Sequence, residues 1–296
     1  MRIAVMGAGG IGSYLGGMLA RSGAEVTLVC RGAHLAAVQE RGLEVRTPAG
    51  AFTVRVSATA PPADVAGVDV VIQAVKRYDL TQSSLGMVPM LGPKSLVVPI
   101  QNGVDAAEEI GAVVGAERVA AGLVFINAHV EEPGRVVSKS ERNTFVIGGR
   151  GLESFHKACL QAGLDARLSA DIRADLWRKF IPVAALSALA CLCRQPIGPI
   201  LADASLARLY RQAMAEVAAL ARKKDVGLEA DIVERMLAVA ATYQYDARVS
   251  MLEDLEAGKR LELEWLSGYV SREAARHGVP VPFHDMAYAC LKPLAK

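Results

Sequence analysis

Directly after the short apolar run Arg2-Ile-Ala-Val-Met6 the chain reads Gly7-Ala8-Gly9-Gly10-Ile11-Gly12, and a segment of helical period, Ile11 to Ser22, follows. A GxGxxG spacing at a strand-to-helix junction constrains the fold more than any other feature here. The first glycine allows a tight turn, the second lets a pyrophosphate approach the backbone, and the third lets helix and strand pack closely. The phosphates then meet the amino end of the helix, where unpaired N–H groups and the helix dipole favour an anion. A glycine-rich structural turn is the competing reading, and the motif's place in a βαβ unit favours the dinucleotide.

The same alternation continues along the first half. Glu25 to Cys30, Val68 to Ala74, Ser95 to Ile100 and Val119 to Phe125 read as strands without a polar/apolar alternation, as in parallel sheets covered on both faces. Tyr78 to Met87 and Asp105 to Val114 read as crossover helices, giving an open α/β sheet. Leu43 to Thr47 and Phe52 to Val56 flank Pro48-Ala-Gly50 as a hairpin, Val136 to Ile147 alternates, and Leu152 to Ala162 with a strand near Ala166 to Leu168 closes the domain. From Ile172 onward the period is helical, with helices expected over Leu201 to Lys224, Ala230 to Tyr243, Glu262 to His277 and Met286 to Leu294. Pro196, Gly198 and Pro199 are expected to form a turn. The boundaries expected are a dinucleotide-binding domain over 1–168 and a helical domain over 169–296.

Composition narrows the partners. A net charge of +2 on 296 residues offers no field for gripping nucleic acid or an anionic membrane, and 52% hydrophobic against 22% charged residues supports a large core. The longest strongly apolar stretch, Phe180 to Leu192, is about 13 residues, short of the roughly 20 that cross a bilayer, so no membrane span is expected. The amino-terminal residues lack the shape of a signal peptide, which makes a cytoplasmic location the expectation. Cys30, Cys159, Cys191, Cys193 and Cys290 read as buried thiols, and His129, His156, His277 and His284 as surface or loop residues without metal-ligand spacing. Tyr243, Tyr245 and Trp265 read as core packing. Apolar helices of the second half could pair two copies into a homodimer.

Four polar residues interrupt this apolar pattern. Where an NAD-preferring site would hold an acid at the end of the second strand, the chain has Arg31, whose guanidinium suits the 2′-phosphate of NADP(H); an FAD-binding fold would also usually want an acid there. Lys76 and Asn102 follow sheet strands at their carboxyl ends, where open α/β sheets bind ligands. Lys179 stands at the brink of the long apolar helix, and by itself could be a snorkelling side chain.

These residues, with Val75-Lys76, Gln101-Asn102-Gly103, Leu176-Trp-Arg-Lys179, Ser250-Met-Leu-Glu-Asp254, Glu262, Gly268 and His277-Gly-Val-Pro280, resemble the ketopantoate reductase family over essentially the whole chain. The resemblance implies a Rossmann-type domain followed by an all-helical C-terminal domain, and NADPH-dependent reduction of a small 2-oxo acid to a 2-hydroxy acid, with ketopantoate and pantothenate biosynthesis foremost. It implies Lys179 as the general acid, and Glu262 on the nicotinamide ribose and the hydrogen-bond network. Gly7, Ala8, Gly9, Gly10, Ile11, Gly12, Arg31, Lys76, Asn102 and the Ala128 backbone would contact the cofactor, and Ser250 would face the substrate carboxylate. Burial should lower the lysine's pKa, against an upward pull from Glu262.

The family commonly presents asparagines four and eight positions after the lysine. Here those places hold Val183 and Ser187, and a third polar position is Ile197. An apolar group gives up a hydrogen bond worth about 0.5 to 1.5 kcal/mol, more where a substrate hydroxyl is left buried and unpaired. Two alternatives therefore stand beside ketopantoate reduction: a paralogue acting on a less hydroxylated 2-oxo acid or ketone, and an NADPH-binding protein without catalysis.

Overall fold

Ile3 and Val5 turn to one face of the first strand and Ala4 and Met6 to the other, and each pair enters a different buried cluster. In this computed structural model, which describes residues 1–139 and 143–295, the first unit comprises Met1–Gln101 and Asp105–Ile172. Its elements are β1 (Arg2–Met6), α1 (Gly10–Arg21), β2 (Glu25–Val29), α2 (Gly32–Arg41), β3 (Leu43–Thr47), β4 (Gly50–Val54), β5 (Ser57–Thr59), β6 (Val68–Gln73), α3 (Leu80–Met87), β7 (Leu91–Pro99), α4 (Ala106–Val114), β8 (Ala121–Phe125), β9 (Ala128–Glu132), β10 (Arg135–Ser138), β11 (Thr144–Gly148), α5 (Glu153–Gln161) and β12 (Asp165–Leu168).

The main sheet is parallel, in the order β5-β2-β1-β6-β7. Helices α3 and α4 supply Leu80, Met87, Ala106 and Ile110 to one face, and α1 supplies Leu15 and Leu19 to the other. Burial on both sides is why these strands carry unbroken apolar runs. The chain order reverses at β1, which lies between β2 and β6 and therefore marks the switch point at which such sheets bind ligands.

The first unit departs from the sequence expectation in several places. Helix α2 was not anticipated; only Ala37 and Val38 of it are buried, so its apolar face is too thin to show as a period. The run through Phe125 does not extend the parallel sheet. β8 pairs antiparallel with β11 in a separate sheet, β12-β11-β8, and the residue two before it, Val119, forms an isolated parallel bridge to Val97 of the main sheet. The alternating run Val136 to Ile147 is two strands, β10 in the sheet β4-β3-β10-β9 and β11 in the other, and residues 140–142 of that run lie outside the described residues.

The second unit comprises Asn102–Val104 and Arg173–Lys296. It follows α6 (Ile172–Cys193) with α7 (Ile197–Ala202), α8 (Ala204–Lys223), α9 (Ile232–Ala240), α10 (Ser250–Glu256), α11 (Ser267–His277) and α12 (Pro282–Leu291). The expected turn at Pro196 to Pro199 is instead the start of α7, with Pro196 as its cap. Asp203 splits the helix expected over Leu201 to Lys224, because its carboxylate accepts from the Ser205 and Leu206 N–H groups at 2.9 Å each and starts α8 there. Helix α6 is 22 residues long, extending beyond the apolar stretch Phe180 to Leu192 that it contains, and by length and composition alone could cross a membrane. Most of its apolar side chains, among them Trp177, Phe180, Ile181, Ala184 and Leu189, are buried in the core of the helical unit.

Candidate active site

The glycine loop is built as the spacing predicts. Gly7 has φ +92°, open to glycine at little cost, and a Cβ there would meet Val75 at 2.8 Å. Gly9, the residue before α1, faces open space, with nothing within 4 Å of the place a Cβ would occupy. A Cβ on Gly12 would lie 2.3 Å from the Gly7 carbonyl oxygen and 3.1 Å from Val5. The spacing rule is silent on Gly10, yet a Cβ there would lie 2.1 Å from the Ala128 carbonyl oxygen. No side chain caps the amino end of α1, so its first N–H groups are left to another acceptor.

Strand register brings further candidates to the same edge. Met6 pairs with both Val29 and Gln73, and Gln73 pairs with Pro99, so β2, β1, β6 and β7 end level. Gly7, Arg31 and Lys76 thus leave the sheet on one side. Arg31 is exposed at the N-cap of α2, in extended conformation, and Lys76 is half-buried before a short 3₁₀ turn, Arg77–Asp79. Gln101 links the ends of β6 and β7, its Nε2 donating to the Gln73 and Val75 carbonyls at 2.8 and 3.1 Å. Ala128, at the start of β9, packs its carbonyl on Gly10.

The helical unit holds the remaining candidates: Asn102, Lys179, Val183, Ser187, Ser250 and Glu262. Lys179 lies in α6, and steps of four place Val183 and Ser187 on the same side of the helix. Pro182 cannot donate to the Arg178 carbonyl, which opens the helical ladder beside the lysine. Burial lowers the Lys179 ammonium to a pKa of about 8, and the Glu262 charge pulls it the other way. Glu262 is 7% exposed, Ser187 is 2% exposed and Ile197 is 1% exposed, whereas Val183 is half-buried. Ser250 is exposed as the first residue of α10.

Sequence reasoning missed several groups. Ser13 is fully buried one residue past the glycine motif, and His34 lies half-buried in α2; a polar residue on the apolar face of α1 was the available signal for the first. Arg77, 1% exposed, pairs with Asp105 at 2.8 Å and Glu109 at 3.2 Å, which ties the turn after Lys76 to the start of α4. His284 is not a surface residue but 0% exposed, with Nε2 at 3.1 Å from the Ala213 carbonyl and Nδ1 at 3.2 Å from the Ser267 hydroxyl. Cys290, Tyr243 and Tyr245 are exposed rather than buried, because α12 and the 241–248 segment present them outward.

The family models of ketopantoate reductase PanE/ApbA match residues 3–150, and those of its C-terminal region match residues 171–295. The chain is 31% identical to the 2-dehydropantoate 2-reductase of Halobacterium salinarum over 95% of each chain. It is 27% identical to the uncharacterized oxidoreductase YkpB of Bacillus subtilis, covering 99% of this chain and 98% of that one. Among solved structures, a PanE/ApbA family ketopantoate reductase from Ralstonia eutropha aligns with a TM-score of 0.94 at 32% identity, covering 100% of this chain and 98% of the other.

Proposed function

The chain belongs to the ketopantoate reductase family and is an oxidoreductase of the 2-dehydropantoate 2-reductase type, and from that premise we propose that it reduces a 2-oxo acid to a 2-hydroxy acid with NADPH, ketopantoate being the first substrate to test. The observation that carries this reading is Lys179, an ammonium lowered to a pKa of about 8 beside the buried carboxylate of Glu262.

The first unit fits a dinucleotide. Open space at Gly9 and the uncapped start of α1 suit a pyrophosphate, and exposed Arg31 suits a 2′-phosphate through charge-assisted bonds. Lys76, Asn102, the Ala128 backbone and Glu262 are the further contacts in this reading. When bound, NADPH supplies the hydride that adds to the ketone carbon. Lys179 then donates a proton from Nζ to the oxygen that gains the carbonyl electron pair, which yields the hydroxyl and a neutral amine. An ammonium aimed at developing negative charge stabilises the transition state more than the ground state. A pKa of about 8 keeps Lys179 mostly protonated at neutral pH and acidic enough to donate. Ser250 would receive the substrate carboxylate.

A second substrate reading rests on Val183, Ser187 and Ile197. Val183, one helical turn beyond Lys179, offers an apolar surface and no hydrogen bond. That favours a 2-oxo acid with a less hydroxylated side chain. A panel of 2-oxo acids, followed by loss of reduced-nicotinamide absorbance with NADPH and NADH side by side, tests both readings. Ketopantoate should be reduced with NADPH preferred; a better rate with an apolar side chain selects the second reading, and no turnover with any member overturns both. Arg31→Ala should weaken NADPH selectively, and equal loss with NADH would show that Arg31 does not read the 2′-phosphate.

A further inference from the structure

The carbonyls of the glycine loop must point away from a phosphate, and the structure shows what turns one of them inward. Gly7 and Ala8 both donate their N–H groups to the Val29 carbonyl, at 3.1 and 3.2 Å. The Ala8 carbonyl accepts the Ser13 hydroxyl at 2.9 Å, and both residues are buried. Ser13 Oγ in turn lies 3.2 Å from His34 Nε2, and His34 Nδ1 lies 3.1 Å from the Gly134 backbone nitrogen.

The directions of these bonds are fixed. A backbone N–H can only donate, so His34 Nδ1 carries a lone pair and the single proton of the neutral ring sits on Nε2. Nε2–H therefore donates to Ser13 Oγ, which leaves the serine's own proton for the Ala8 carbonyl. Burial lowers the imidazole's pKa and keeps the ring in this neutral form. The chain of donors runs from Gly134, in the turn between β9 and β10, through His34 and Ser13 to the glycine loop.

The relay also crosses between two phosphate-binding points. His34 is the third residue of α2, whose N-cap is Arg31, while Ser13 belongs to α1, which starts at the glycine loop. We propose that Ser13 and His34 are positioning residues for the dinucleotide, holding the Ala8 carbonyl off the pyrophosphate and fixing the distance from the glycine loop to the helix that bears Arg31. The proposal rests on the dinucleotide reading above.

Titration of NADPH fluorescence onto wild type, Ser13→Ala, His34→Ala, the double variant and His34→Gln tests it. Each alanine variant should raise the NADPH Kd about three- to tenfold, the loss of one hydrogen bond. The double variant should be no worse than Ser13→Ala alone, because both substitutions break one chain. Glutamine retains an N–H donor for Ser13 and a carbonyl for Gly134, so His34→Gln should return to within about twofold of wild type. Should Ser13→Ala fail to fold, the two His34 variants decide the matter alone. Unchanged Kd in His34→Ala, losses that multiply independently in the double variant, or His34→Gln as poor as His34→Ala would overturn the relay. A wild type that binds neither NADPH nor NADH would overturn the dinucleotide reading itself, a distinguishable result.

Discussion

The Ala128 carbonyl oxygen sits where a Cβ of residue 10 would be, 2.1 Å from it, so the fourth residue of the motif is glycine because β9 leans on the loop. Gly9, its neighbour, has nothing within 4 Å. Two adjacent glycines thus serve different ends. Gly10→Ala should force backbone against backbone and cost about 1 to 3 kcal/mol of folding stability, while Gly9→Ala should leave the melting temperature within a few degrees and weaken nucleotide binding. Thermal melts with and without NADPH separate the two. Equal destabilisation by both substitutions would contradict the assignment.

Arg77 is buried against Asp105 and Glu109, and Thr81 adds a hydrogen bond to Glu109 at 2.6 Å. Removing the buried guanidinium leaves two carboxylates, 24% and 29% exposed, without their cation, at about 1 to 3 kcal/mol after solvent screening. Arg77→Met should lower the unfolding free energy read from urea titration by that amount. A loss under about 1 kcal/mol would mean that the cluster is solvated.

His284 sets an acid limit on stability. Its pKa is lowered by burial to about 4 from the usual 6.5, so the unfolded chain takes up a proton that the folded one refuses. Stability from this group is complete above pH 6.5 and falls as pH drops towards 4, by about 3 kcal/mol in all. Urea unfolding at stepped pH should show that slope, and His284→Gln should flatten it. An unchanged slope in the variant would assign the acid sensitivity elsewhere.

The lysine makes a separate pH prediction. Lys179 gives up its proton near pH 8 in the free protein, and a general acid is useful only when protonated. In the direction of ketone reduction, kcat/KM should fall about tenfold per unit at pH values well above 8. A flat profile to pH 10 would exclude a titrating acid of that pKa.

The parallel sheet was legible because its strands are buried on both faces, and the glycine roles were legible because a motif at residue 7 states its own geometry. The depressed lysine could be anticipated from its place next to the apolar run that begins at Phe180, although it lies two turns inside α6 and not at the helix's end. What stayed hidden depends on distant chain segments. His34 meets Gly134 100 residues away, and His284 meets Ala213 across two helices. No local pattern encodes such partners. Gly10 was visible as a glycine, but its reason lies in β9. Helix α2, with two buried residues, and β5, with three residues in all, carry too little apolar pattern to stand out.

The most direct measurement compares wild type with Lys179→Ala, using the best 2-oxo acid of the panel. NADPH oxidation should fall by about 10² to 10⁴ at saturating substrate, while the NADPH Kd from fluorescence titration stays within about threefold, a limit of roughly 0.7 kcal/mol. Turnover within about tenfold of wild type at unchanged nucleotide affinity would contradict a proton donated from this amine.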